Sequence, residues 1–167
     1  DVDLTNTFNT SYDSYLDMIY KKTASLIEAS ARSAAILAGL DENKYALYGK
    51  NLGLAFQMID DILDITQDSA TLGKPAMLDF VEGKVTIPYL LLHSRVEDKA
   101  KLESLYKKEL SSEESAWIKE QMQITKALED SILQAKAIGN EAIEAVIDEK
   151  DSQTLVMIMK AMIEREF

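Results

Sequence analysis

Apolar side chains recur along this chain with the period of an α-helix, and no segment alternates apolar and polar residues with period two. From about Ser11 to Ala38 the stripe runs through Tyr15, Ile19, Ala24, Ile27, Ala31, Ala34, Ala35 and Ala38, and Gly39 supplies a stop. Asp41 is placed to cap a second helix that reaches about Thr66. The stretch "QDSATLGKPAMLDFVEGK", Gln67 to Lys84, carries Gly73, Pro75 and Gly83 and reads as a loop with room for one helical turn. Helix resumes near Thr86, where Pro88 fits the first turn because no amide donor is needed there. Shorter helices are expected over Glu97–Lys107 and Glu113–Gln123, the latter opened by a capping box of Ser111 and Glu114. A longer one spans about Lys126 to Asp148, weakened or bent at Gly139, and a last one starts near Asp151. With only six Gly and two Pro in 167 residues, the expected fold is all-α, a helical bundle.

Charge and composition remove several function classes. Acidic residues outnumber basic ones 29 to 18, for a net charge of −11, and so acidic a chain lacks the basic footprint that nucleic acid requires. A small anionic substrate held by a few local lysines is not excluded. There is no cysteine, hence no disulfide framework and no thiolate metal site, which suits a reducing cytosol. No apolar run has the length of a membrane span, and no charged-then-apolar signal opens the chain. The sequence starts at Asp1 and runs straight into "DVDLTNTFNTSYDSYLDMIY", as a fragment or processed product of a longer protein would.

The chemistry is concentrated in "GLAFQMIDDILDITQD", Gly53 to Asp68. Here Asp60, Asp61 and Asp64 fall within about one turn of a helix otherwise clothed by Leu52, Ala55, Ile59, Ile62 and Leu63. Exposed, a like-charge pair at this spacing costs a few tenths of a kcal/mol. In a partly buried groove of effective dielectric about 20, two carboxylates roughly 5.5 Å apart repel by about 3 kcal/mol. A divalent cation reverses that sign. Hard oxygen ligands with no His or Cys nearby point to magnesium or calcium. The calcium-loop pattern fails, because Ser69 and Pro75 stand where glycine and a bidentate glutamate belong. Magnesium takes one or two carboxylates and completes its shell with water and phosphate oxygens, so a phosphorylated substrate is its natural companion. The residues by themselves leave a solvated acidic face equally open.

Three motifs in order add context. "FQMIDDILD", Phe56 to Asp64, resembles the second aspartate-rich motif of the trans-type polyprenyl diphosphate synthases. "KTA" at Lys22–Ala24 is similar to that family's Lys-Thr motif, and "LGKPAMLDFVEGKVTIP" to its lysine-bearing loop, with Lys74 and Lys84 in the matching places. The resemblance covers essentially the whole chain, and "EGKVTIP" leans toward the longer-chain, octaprenyl-type branch.

The resemblance implies that residues 1–167 are the C-terminal part of one isoprenoid synthase helical domain. It implies a prenyltransferase that condenses isopentenyl diphosphate with an allylic diphosphate, aided by Mg2+ at the leaving diphosphate. By the same resemblance Asp60 and Asp64 hold the metal, Asp60 directly and Asp64 through water, with Asp61 in support. Lys22, Lys74 and Lys84 hold the allylic diphosphate, Thr23 and Gln57 place oxygen dipoles near the developing cation, and Phe56 lines the substrate pocket. A homodimeric, cytoplasmic parent enzyme is the corresponding expectation.

The chain departs from the family by lacking its first aspartate-rich motif and the Gly-Lys-Arg segment that grips isopentenyl diphosphate. Alone it is therefore expected to be inactive and to expose apolar faces. A class I terpene cyclase is the enzymatic rival, although its second metal motif is an Asn/Asp–Ser/Thr–Glu arrangement. A non-catalytic helical subunit or scaffold is the rival from another class. His93, Trp117 and the methionines from Met157 to Met162 read as packing or surface residues.

Overall fold

The computed structural model describes residues 7–66 and 77–164, and every regular element among them is helical. Helix α1 covers Tyr12–Ile19 and continues through a π-helical turn, Tyr20–Ala24, into α2, Ser25–Ala38. Then come α3 (Glu42–Thr66), α4 (Leu78–Val81), α5 (Ile87–Arg95), α6 (Lys99–Leu105), α7 (Ser112–Ile124), α8 (Ala127–Val146) and α9 (Gln153–Ile163). No helix among the described residues is long and apolar enough to cross a membrane.

The expected punctuation operates at most boundaries. Gly39 ends α2 in the left-handed region at φ 68° and returns its amide to the carbonyls of Ala35 and Ile36. The Asp41 carboxylate accepts the Asn43 amide ahead of α3. Ser111 and Glu114 make both bonds of the capping box, and Pro88 sits in the first turn of α5. Gly139 does not interrupt α8, which runs unbroken from Ala127 to Val146. A Cβ there would lie 2.5 Å from Ile163 Cγ2, so this glycine makes room for α9.

The chain divides into two compact units. One holds residues up to Tyr15 together with Asp60–Ile132, the other Leu16–Ile59 together with Leu133–Glu166. The first is built on Ile62, Phe80, Ile87, Tyr89, Leu92 and Leu102, all fully buried. The second is built on Ile19, Met58, Ile59, Ala135, Val146 and Met159.

In the second unit one helix pair approaches closely. Gly49 and Gly53 lie four apart on α3, and a Cβ on Gly53 would come within 2.4 Å of the Ala24 Cα. A Cβ on Gly49 would meet both the Ala31 Cβ and the Ile27 carbonyl oxygen at 2.8 Å. The two glycines let α3 lie directly on the π-helical turn and on α2. The turn was not expected, yet the stripe carries its mark: the step from Ile19 to Ala24 is five residues instead of three or four. One inserted residue keeps both side chains buried, and the Ser25 amide accordingly bonds to the Tyr20 carbonyl, five residues back.

Replacing Gly53 by Ala should therefore destabilise the chain by about 1–3 kcal/mol through overpacking, more than the roughly 1 kcal/mol that helix propensity returns. Urea denaturation followed by circular dichroism should give a lower midpoint. An unchanged or higher midpoint would show that the close contact carries no weight.

Candidate active site

The aspartates of α3 share a turn and have different surroundings. Asp60 is exposed. Asp61 points inward, only 4 % exposed, and accepts a hydrogen bond of 2.7 Å from the Tyr15 hydroxyl. Asp64 is half-buried, and its two carboxylate oxygens accept the amides of Leu78 and Asp79, each at 3.2 Å. Its carbonyl accepts the Met77 amide at 2.8 Å. The three carboxylates therefore sit in three different environments. Successive helical residues diverge by about 100°, so Asp61 turns to the core while Asp60 and Asp64, four apart, stay on one side of α3, Asp60 in water and Asp64 against the start of α4.

Asp64 organises the segment that bears the candidate lysine. Met77 precedes α4 with φ 63°, a left-handed conformation that a non-glycine residue adopts at some cost, and the Asp64 bonds to three successive amides hold it there. Asp79 then closes the following turn. Its carbonyl accepts the Lys84 amide at 2.7 Å, and its carboxylate accepts Lys84 Nζ at 2.8 Å. Lys84 also donates to Glu82 at 2.7 Å. Burial works against the Lys84 ammonium, but its bonds to the two carboxylates outweigh that and raise its pKa. Lys84, expected to hold diphosphate, is here held by acids, which an incoming phosphate must displace.

Electrostatics mark Asp64. Burial, reinforced by the neighbouring Asp79 charge, pushes its carboxyl from 3.8 up to about 6, against the two amide bonds and Lys84. Tyr15 and Tyr89 are buried phenols whose pKa values burial raises well above 10, helped by Asp61 for the first and by Asp64 and Asp79 for the second. Both phenols remain neutral. Tyr89 stacks on Phe80 at 4.3 Å, and its hydroxyl has no hydrogen-bond partner among the described residues.

Lys22, Thr23, Phe56 and Gln57 belong to the second unit. Lys22 and Thr23 lie in the π-helical turn, Lys22 with its side chain exposed. Thr23 donates its hydroxyl to the Gln57 amide oxygen at 3.1 Å. The contact of Gly53 with Ala24 accounts for this pairing, because Gln57 is one turn beyond Gly53 and Thr23 immediately precedes Ala24. Gln57 is 4 % exposed while its neighbour Phe56 is 44 % exposed. Lys74 lies outside the described residues. His93 contacts Glu103 through Nε2 at 2.7 Å and the Phe8 ring at 4.8 Å. Trp117 packs under Lys101 Nζ at 4.1 Å from its ring centre. Sequence reasoning missed Tyr15 as a partner of the motif and Asp79 as the tether of Lys84. No local signal marks the first, which spans 46 residues.

The donor set fits a hard divalent cation: carboxylate oxygens only, one exposed and one half-buried beside a second acid. Among the described residues no three acidic or histidine side chains stand close enough to hold a metal unaided. A cation here needs further oxygens, as magnesium does when phosphate and water complete its shell.

Comparison with known proteins decides the family. Residues 1–124 match the family described as Polyprenyl synthetase. The chain belongs to the polyprenyl synthetase family. It is similar to the octaprenyl pyrophosphate synthase of Helicobacter pylori, with 41 % identity and a TM-score of 0.89 over 99 % of this chain and 54 % of that one. The polyprenyl synthase of Caulobacter crescentus CB15, solved in complex with calcium and isoprenyl diphosphate, gives 30 % identity and a TM-score of 0.85 over 99 % of this chain and 53 % of that one. Solanesyl-diphosphate synthase 2, chloroplastic, of Oryza sativa subsp. japonica is 45 % identical over 62 % of this chain and 26 % of its own length. The chain spans about half the length of these structures, and its all-helical fold matches that half of the polyprenyl synthetase fold.

The raised Asp64 carboxyl has a consequence for stability. Below about pH 4 the group is protonated folded and unfolded. As pH rises toward about 6 the unfolded chain loses this proton first, so the folded state loses stability through that window and carries the full penalty above it. The stability of Asp64→Asn minus that of the parent chain should therefore increase from pH 4 to 6 and then level off. Paired thermal melts across this range check it, and a difference independent of pH would contradict it.

Proposed function

We propose that this chain is the C-terminal part of a polyprenyl diphosphate synthase, a prenyltransferase joining isopentenyl diphosphate to an allylic diphosphate. One observation carries the reading. In a chain of this family, Asp64 is a half-buried carboxylate beside Asp79, held by the Leu78 and Asp79 amides four residues after the exposed Asp60.

Asp60 and Asp64 would hold Mg2+, which when bound neutralises charge developing on the leaving diphosphate. Asp61 supports them from inside the fold. The ammonium groups of Lys22, Lys74 and Lys84 bind diphosphate oxygens, Lys84 by exchanging its carboxylate partners for phosphate. The Thr23 hydroxyl donates to Gln57, which leaves threonine oxygen lone pairs directed away from that bond. Those lone pairs and the Gln57 amide dipole would favour an allylic cation electrostatically. Phe56 offers an apolar ring to the prenyl chain. Addition of isopentenyl diphosphate forms the new carbon–carbon bond, and the lost proton leaves on the departing diphosphate.

A long product is proposed from "EGKVTIP" and from the octaprenyl and solanesyl names of two relatives. A homodimeric, cytoplasmic enzyme completes the proposal.

In the complete enzyme Asp60→Ala should lower turnover by at least about 10²-fold, the scale of losing a major electrostatic contributor, with an unchanged circular dichroism spectrum. Turnover within a few-fold of the parent enzyme at ordinary magnesium, followed with labelled isopentenyl diphosphate, would contradict the metal role.

A further inference from the structure

Tyr15 has no part in the functional reading so far, although it is fully buried and its hydroxyl meets Asp61 at 2.7 Å. That separation is short, at the value expected when a phenol donates to an ionised carboxylate. The pair links α1 to the last turns of α3 within one compact unit. Burying a carboxylate is costly unless donors replace its water, and the phenol is such a donor. Ile59, Ile62 and Ile65, all at most 1 % exposed, already set which face of α3 is buried. To the apolar packing a directional hydrogen bond adds a preference for one rotation of the helix. Because neighbouring helical side chains are separated by about 100°, an inward Asp61 obliges Asp60 to point out and leaves Asp64 beside α4.

We propose that Tyr15 is a positioning residue for the aspartate-rich motif. By holding Asp61 inward as an anchor, it keeps that carboxylate out of the metal shell and presents Asp60 and Asp64 in a fixed relation. This rests on the metal-binding reading above and assigns Asp61 a different task from its two neighbours. Without the hydroxyl, Asp61 is less well held, the end of α3 gains rotational freedom, and the two metal-facing carboxylates lose their preset relation. Loss of such an outer partner costs metal affinity at about the ten-fold level.

The test is Mn2+ binding, followed by electron paramagnetic resonance with inorganic diphosphate present, on the complete enzyme and its Tyr15→Phe, Asp61→Asn, double and Asp60→Ala variants. Tyr15→Phe keeps the ring and removes only the donor. It should weaken Mn2+ binding about ten-fold and raise the Mg2+ concentration for half-maximal turnover in step, with KM for isopentenyl diphosphate unchanged. A purely structural role would lower the fraction of folded protein and leave the dissociation constant where it was. If Tyr15 acts through Asp61, the double variant should bind Mn2+ no more weakly than Asp61→Asn. Should Tyr15→Phe fold poorly, the comparison of Asp61→Asn with Asp60→Ala still decides, since an anchor predicts the smaller loss for Asp61→Asn. Parent-like Mn2+ affinity in Tyr15→Phe, full additivity in the double variant, or equal losses at Asp60 and Asp61 would overturn the proposal while leaving the metal-binding reading intact. Diphosphate-independent Mn2+ binding that Asp60→Ala does not alter would overturn both.

Discussion

Desolvation of carboxylates at the end of α3 is the constraint around which this structure is arranged. Moving a carboxylate out of water costs several kcal/mol unless donors or counter-charges replace the lost hydration. Asp61 meets that demand with the Tyr15 hydroxyl. Asp64 meets it with two backbone amides, though burial and Asp79 still lift its pKa to about 6. Asp60 remains in water. The same compensation shapes the next segment, because the amides that Asp64 captures belong to the start of α4, and Asp79 in turn retains Lys84. A run of acidic residues thus builds its own scaffold, and the proposed cation site uses the carboxylates that this scaffold leaves accessible.

A second arrangement, in the other compact unit, depends on close backbone approach. Glycines at positions 49 and 53 remove the side chains that would separate α3 from α2, and the π-helical turn places Thr23 within bonding distance of Gln57. Such single-turn π insertions recur at functional sites, where they re-aim one or two side chains within a helix. Here they re-aim the Lys22–Thr23 pair. The tight contact needs backbone atoms, so it constrains sequence at Gly53 more strictly than ordinary core packing, which tolerates exchange among side chains of similar volume.

Helical class, the caps at Gly39, Asp41 and Ser111, and the location of chemistry near Asp60 were legible in the chain because each depends on neighbours within about one turn. The family resemblance rested on three short motifs, and the match over residues 1–124 supports it. What escaped were relations across long sequence distances or within the register of one helix. Tyr15 looks like any other stripe residue until Asp61, 46 positions away, is placed beside it. The π-helical turn was visible only as a five-residue step between Ile19 and Ala24. Asp60 and Asp61 are adjacent in sequence, yet the helix rotates by about 100° between them, so one carboxylate is in water and the other in the core.

The central claim is that α3 divides its carboxylates between scaffold and cation. Carboxyl carbon resonances of Asp60, Asp61 and Asp64, followed by nuclear magnetic resonance as Mg2+ is added with inorganic diphosphate, test it most directly. The account predicts large, saturable shifts for Asp60 and Asp64 and a small one for Asp61, whose oxygens stay inward. Shifts confined to Asp61, or none at saturating Mg2+ and diphosphate, would contradict it.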